Sequence, residues 1–154
     1  MRFLPMNSSG IDNSRVAVVI PVYNHAGKVA GVIAEARKLP WPLIVVDDGS
    51  TDGTYDRIKD IPSITLVRHD RNRGKGAAIL TGFAAAAPRA DWAVTMDADL
   101  QDPPELIPEL VAAWRAGAEV VLAVRRSRQE TGLRRVGFDP VSYTHLTLPT
   151  ILRV

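Results

Sequence analysis

The sequence predicts an α/β protein built on a mostly parallel sheet with helices packed against it. Three observations carry this. Short, wholly apolar runs such as Val16–Pro21 and Leu43–Val46 mark strands buried on both faces. Between them lie apolar residues at helical spacing, as in Val29, Val32, Ile33 and Ala36. The two patterns alternate along the chain, which calls for parallel strands joined by right-handed crossovers.

Each element has its own warrant. Pro40 and Pro42 stop the first helix before the second strand begins at Leu43. That strand runs into Asp47, Asp48 and Gly49, then Ser50, Thr51 and Asp52, residue types that cap helices, so a short helix through Ile58 is expected. Ile64–Val67 is the third strand. Gly74–Ala87 is Ala-rich and helical, with Ile79, Leu80, Phe83 and Ala87 predicted on its apolar side. Trp92–Met96 is the fourth strand. Pro103 and Pro104 suit a helix start, where the missing N–H is not needed. Ile107, Leu110, Val111 and Trp114 form that helix's apolar face, with Pro108 in mild conflict. Glu119–Val124 is a fifth strand.

Composition narrows the functional classes. The 154 residues suit one domain, and 46% hydrophobic with 23% charged residues is ordinary for a globular protein. A net charge of +2 without a basic run gives no case for nucleic acid. Cysteine is absent, so thiolate metal sites and disulfides are excluded, which fits a cytoplasmic enzyme. No apolar run approaches the roughly 20 residues of a membrane span. Residues 1–15 lack the apolar core of a signal peptide and are expected to be a disordered lead-in. Residues 140–154, including VSYTHLTLPT, look like translated sequencing-adapter read-through, a non-native tail, so no function is assigned to Tyr143 or His145.

The most informative stretch is Asp97-Ala98-Asp99-Leu100-Gln101. Two carboxylates at i and i+2 on extended backbone share a face, and they end a strand, where ligands sit in open α/β sheets. They repel one another unless a cation joins them, and a hard divalent ion carrying phosphate oxygens is the natural guest. Asn72, Gly74, Lys75 and Gly76 open a helix, where backbone N–H groups can approach an anion and Lys75 can add a point charge. His25 and His69 have no metal-ligand spacing and are read as structural or surface residues.

Taken in order, VVIPVYN (18–24), IVVDDGSTDGT (44–54), RNRGKGAAILTGF (71–83) and DADLQ (97–101) closely resemble the donor half of family 2 glycosyltransferases. The similarity is greatest to the branch of dolichyl-phosphate mannose synthase and its bacterial polyprenyl-phosphate relatives, and it covers roughly residues 16–126. The resemblance implies a GT-A fold, the Rossmann-like, mostly parallel sheet of nucleotide-diphospho-sugar transferases flanked by helices, here truncated. Residues 16–139 would be its nucleotide-sugar-binding part.

It also implies roles. Asp97 and Asp99 would be the catalytic acids, holding Mg²⁺ or Mn²⁺ with Gln101 so that the departing diphosphate is neutralised. Asp47 and Asp48 would lie under the nucleotide and accept hydrogen bonds from base or ribose, as suits a UDP- or GDP-sugar. Pro21, Tyr23 and Asn24 would complete that wall, with Tyr23 against the base. Asn72, Gly74 and Lys75 would meet substrate phosphate. Arg125 aligns with an arginine that meets the acceptor phosphate, although Ala123 and Val124 replace the usual small neighbours. Arg126, Arg128, Arg134 and Arg135 extend a basic cluster suited to a lipid phosphate, hence to contact with the cytoplasmic membrane face.

The reaction so implied is metal-dependent, inverting transfer of a sugar to polyprenyl or dolichyl phosphate. The alternatives are transfer to a glycan hydroxyl, or a truncated module that binds a nucleotide sugar without catalysis. A nucleotidyltransferase would need a Gly-rich phosphate loop after the first strand, and Val22-Tyr23-Asn24-His25 is not one.

Overall fold

A computed structural model describes residues 16–99, 104–115, 121–122 and 150–153. The elements are β1 (Val16–Val22), α1 (Val29–Ala36), β2 (Leu43–Asp47), α2 (Thr54–Ile58), β3 (Thr65–Arg68), α3 (Lys75–Ala86) and β4 (Trp92–Thr95). A 3-10 turn, Pro104–Leu106, leads into α4 (Ile107–Arg115), followed by β5 (Val121–Leu122) and β6 (Thr150–Arg153). Strand order is β3-β2-β1-β4-β6-β5. The first four strands are parallel, and β6 runs antiparallel to both β4 and β5. The predicted α/β class and mostly parallel sheet are therefore observed. Thr150–Arg153, part of the segment set apart as a tail, takes the place beside β4.

Alternation along β1 divides the core. Val16, Val18, Ile20 and Val22 join Val29, Val32, Ile33 and Ala36 of α1, Ile58 of α2, and Ile107, Leu110 and Val111 of α4. Ala17 and Val19 face the other way, with Ile44, Val46, Ala78 and Ala86. Helices thus cover both faces, which is why β1 is buried at every position.

Two expectations need correction. The buried side of α3 is Ala78, Gly82 and Ala86, whereas Leu80 is 68% exposed and Ala87 is also exposed. Small size decides this: a Cβ at Gly82 would lie 2.3 Å from Cγ1 of Val19, so α3 sits too close to β1 for a larger residue. Pro108 causes no conflict, because as the second residue of α4 its nitrogen would have had no intrahelical acceptor. Ile107, Leu110 and Val111 are buried as predicted.

The sheet also explains Pro21, a proline in a central strand. The amides of Val18 and Asp48 donate to Pro42 O and Val22 O, whereas Val19 O accepts from Met96 N. Even positions of β1 therefore bond toward β2 and odd positions toward β4. Pairing with β4 ends at Val19↔Thr95, so the missing N–H of Pro21 falls where no partner strand remains. β1 outruns β4 there, and the gap opens a cavity.

Candidate functional site

Strand order reverses between β1 and β4, and in such sheets ligands bind beyond the strands' carboxyl ends at that point. A cavity of about 250 Å³ lies there. It is lined by Pro21 near the end of β1 and Tyr23 and His25 after it, Asp48 after β2, Asn72 and Lys75 at the start of α3, and Asp97 and Asp99 after β4. Four stretches far apart in sequence thus converge on one volume. Gln101 and Arg125 lie outside the described residues.

Asp97 and Asp99 meet in the cavity by a different route from strand alternation. β4 ends at Thr95, and Ala98 and Asp99 form a turn with Ala98 buried. The turn brings both acids to the cavity wall. Lys75 Nζ bridges the two carboxylate oxygens of Asp97 at 2.7 and 3.0 Å. Lys28 Nζ donates to the backbone carbonyl of Asp99 at 3.4 Å.

The adjacent acids Asp47 and Asp48 have separate fates. Asp48 lines the cavity and is 2% exposed. Its Oδ1 accepts from His69 Nδ1 at 2.6 Å and from the Arg73 amide at 2.9 Å. Asp47, fully buried, does not line the cavity; its Oδ1 accepts from the Ser50 amide at 3.1 Å, and Oδ2 lies 3.3 Å from Arg68 Nε. Arg68 also stacks on the Tyr55 ring, 4.0 Å from its centroid. Asp47 therefore shapes the turn, and Asp48 faces the ligand space.

Asn24 and Gly74 do not line the cavity either, and both are exposed. Asn24, at φ 53°, receives the Thr51 amide on Oδ1 and donates its own amide to Ser50 Oγ. The His25 amide donates to Thr54 Oγ1 and the Ala26 amide to Asp52 Oδ2, so the loops after β1 and β2 are laced together. Asp52 Oδ1 also accepts from the amide and hydroxyl of Thr54. Those bonds, the Thr54 hydroxyl first and the Ala26 amide next, hold the Asp52 carboxyl below its ordinary value of 3.8. Gly74, at φ 90°, donates to Asn72 Oδ1, which turns the chain into α3.

Sequence reasoning missed this lacing, the place of His25 in the wall, and His69 behind Asp48. Ser50, Asp52 and Thr54 are short polar side chains suited to accepting backbone N–H bonds, which was a legible signal. Their partners 26 to 29 residues away were not.

The cavity carries three carboxylates against Lys75. A diphosphate would be repelled from such a wall without a further cation. Asp97 and Asp99 offer hard oxygen donors, and a small divalent ion is commonly held by one or two carboxylates with phosphates and water completing its shell. The residues fit such an ion, although among the described residues no three acids or histidines form a closed metal cage.

The chain is 40% identical over 142 residues to the undecaprenyl-phosphate 4-deoxy-4-formamido-L-arabinose transferase of Pectobacterium atrosepticum, covering 85% of this chain and 43% of that protein. It is 38% identical over 141 residues to the protein of the same name in Aeromonas hydrophila, covering 84% and 42%. The chain thus spans about two fifths of the length of these relatives. Its fold is similar to that of 4-diphosphocytidyl-2C-methyl-D-erythritol synthase from Anaerococcus prevotii, with a TM-score of 0.62 at 16% identity, covering 93% of this chain and 71% of that one. Residues 17–148 match the model of glycosyl transferase family 2, and the chain belongs to that family.

Proposed function

We propose that this chain is the donor-binding part of a metal-dependent, inverting glycosyltransferase that moves a sugar from a nucleotide-diphospho-sugar to a polyprenyl phosphate. The observation that carries the reading is the meeting of Asp48, Lys75, Asp97 and Asp99 in one cavity at the sheet's switch point. Relatives named as undecaprenyl-phosphate transferases support the acceptor class.

In this reading base and ribose lie toward Tyr23 and Asp48, the diphosphate lies toward Asn72 and Lys75, and Asp97 and Asp99 hold Mg²⁺ or Mn²⁺ with Gln101. The ion supplies charge neutralisation for the departing diphosphate. A phosphate oxygen of the acceptor attacks the anomeric carbon in line, forming the new C–O bond as the bond to the diphosphate breaks and the nucleoside diphosphate leaves with its electron pair. The acceptor is already anionic near neutral pH, so no general base is required. Arg125 is assigned to the acceptor phosphate, and the site would work at the cytoplasmic membrane face. Among the described residues no helix is long and apolar enough to cross a membrane.

Calorimetric titration of UDP and GDP with Mn²⁺ tests the reading. One of them is expected to bind only with the ion, and Asp99→Ala, a change after a strand end rather than in the core, is expected to abolish that binding without shifting the melting midpoint. Undiminished Mn²⁺-dependent binding in a folded Asp99→Ala would refute the metal assignment. Sugar transfer from the matching nucleotide sugar to undecaprenyl phosphate then separates an active part from a donor-binding module.

A further inference from the structure

Asp48 is not held by its own loop. The loop after β3 supplies His69, 7% exposed, whose amide donates to Asp47 O at 2.9 Å. Its ring spans the gap between the cavity wall and α3: Nδ1 lies 2.6 Å from Asp48 Oδ1 and Nε2 lies 2.9 Å from Thr81 Oγ1. An ionised carboxylate only accepts, so Nδ1 carries the proton, and the Thr81 hydroxyl satisfies Nε2 from behind. The Arg73 amide adds a second bond to the same oxygen. Both bonds fall on Oδ1, which leaves Oδ2 as the acceptor that Asp48 offers to a ligand.

We infer that His69 is a positioning residue that fixes Asp48 Oδ2 toward a ring N–H of the donor's base, and so sets nucleotide selectivity. The inference rests on the reading of Asp48 as the base-end acceptor. A carboxylate free to rotate would meet any base with either oxygen. One pinned at Oδ1 on two sides has a fixed direction, and fixed direction is what discriminates a hydrogen-bonding edge from one that lacks it. Thr81 matters because it stops the imidazole turning away from Asp48.

The test uses whichever of UDP and GDP binds the chain with Mn²⁺, beside its ring-N-methylated analogue, which lacks that N–H. The wild type is expected to prefer the parent by at least about tenfold, the scale of a hydrogen bond to a charged group. His69→Leu is expected to reduce the preference to within about twofold, by the same loss. His69→Asn, whose Nδ2 takes the place of Nδ1, is expected to restore most of the preference even where it melts no higher than His69→Leu. That separation of selectivity from stability is what a merely structural histidine would not give. Should His69→Leu fail to fold, Thr81→Val carries the test, since it keeps the imidazole but removes the anchor that stops it turning away from Asp48, and it must lower the preference. A selective wild type with an equally selective His69→Leu or Thr81→Val overturns the inference alone. A wild type that binds parent and methylated nucleotide equally overturns the base-end reading of Asp48 and the inference with it.

Discussion

Lys75, in the first turn of α3, grips both carboxylate oxygens of Asp97, the first acid after β4, at 2.7 and 3.0 Å. The pair joins the two ends of the cavity that are needed for opposite charges: a lysine suited to phosphate and an acid suited to a cation. Each neutralises the other, and a cation and a diphosphate bound as proposed would together let each exchange its partner for one of like chemistry. On the proposed function, the geometry would favour joint binding of ion and nucleotide over binding of either alone.

Lys75→Met separates these effects. Mn²⁺ binding in the absence of nucleotide is expected to strengthen, because Asp97 is released from its ion pair. Nucleoside-diphosphate binding in saturating Mn²⁺ is expected to weaken. The lysine is about half exposed, so each change should be modest, within about fivefold as for partly solvated pairs. Titration of the ion alone and of nucleotide at saturating ion reads the two separately; weaker ion binding in the variant would contradict the account.

Gly49 couples the fold to the cavity. Its φ is +72°, and a Cβ there would lie 2.3 Å from the carbonyl carbon of Arg71 and 2.6 Å from the Asn72 nitrogen. Both atoms are backbone, so relief requires moving the loop that carries Asn72 into the cavity wall. Gly49→Ala is expected to cost about 2–4 kcal/mol from strained backbone and overlap combined. Nucleotide affinity should fall as well in the protein that remains folded. Gly53→Ala is the control: its φ is also positive, at +87°, but no atom lies within 4 Å of the added Cβ. Urea unfolding of both variants checks this, and equal losses would show that the close approach to Arg71 and Asn72 contributes nothing.

Most of the sheet was legible because strands buried on both faces leave an unbroken apolar signature, as Val16–Val22 and Leu43–Val46 do. The buried face of α3 was misread because size, not hydropathy, selects it: Gly82 must pass Val19, and Leu80 is left in solvent. In the site, Asp97, Asp99, Asp48 and Lys75 could be found from local pattern, since each sits at a strand end or helix start. Asp47 and Asp48 could not be told apart, because their division depends on Arg68, at the end of β3, and His69, in the loop after it. Thr150–Arg153 carries a β-prone pattern that can pair with an open strand edge, here that of β4, whatever the origin of the segment.

The lacing between the loops after β1 and β2 gives a pH dependence of known sign. Asp52 accepts from Thr54 and from the Ala26 amide, and these bonds hold its folded-state carboxyl below 3.8. A carboxyl depressed by folding binds fewer protons in the folded state than in the unfolded one. Its contribution is therefore complete above the unfolded value and is lost as pH falls through the folded one. Asp52→Asn keeps the shape but replaces one acceptor with an N–H₂, which cannot serve the Ala26 amide and the Thr54 groups together. The variant is expected to be less stable than wild type at neutral pH, and the gap should close as the solution is acidified below 3.8. Urea midpoints for the two proteins across that range measure the gap directly. A difference that stays constant into acid would mean that the loops are held by something other than the ionised Asp52. Because Tyr23 and His25 of the laced loop line the cavity, nucleotide binding should weaken along with the lost lacing.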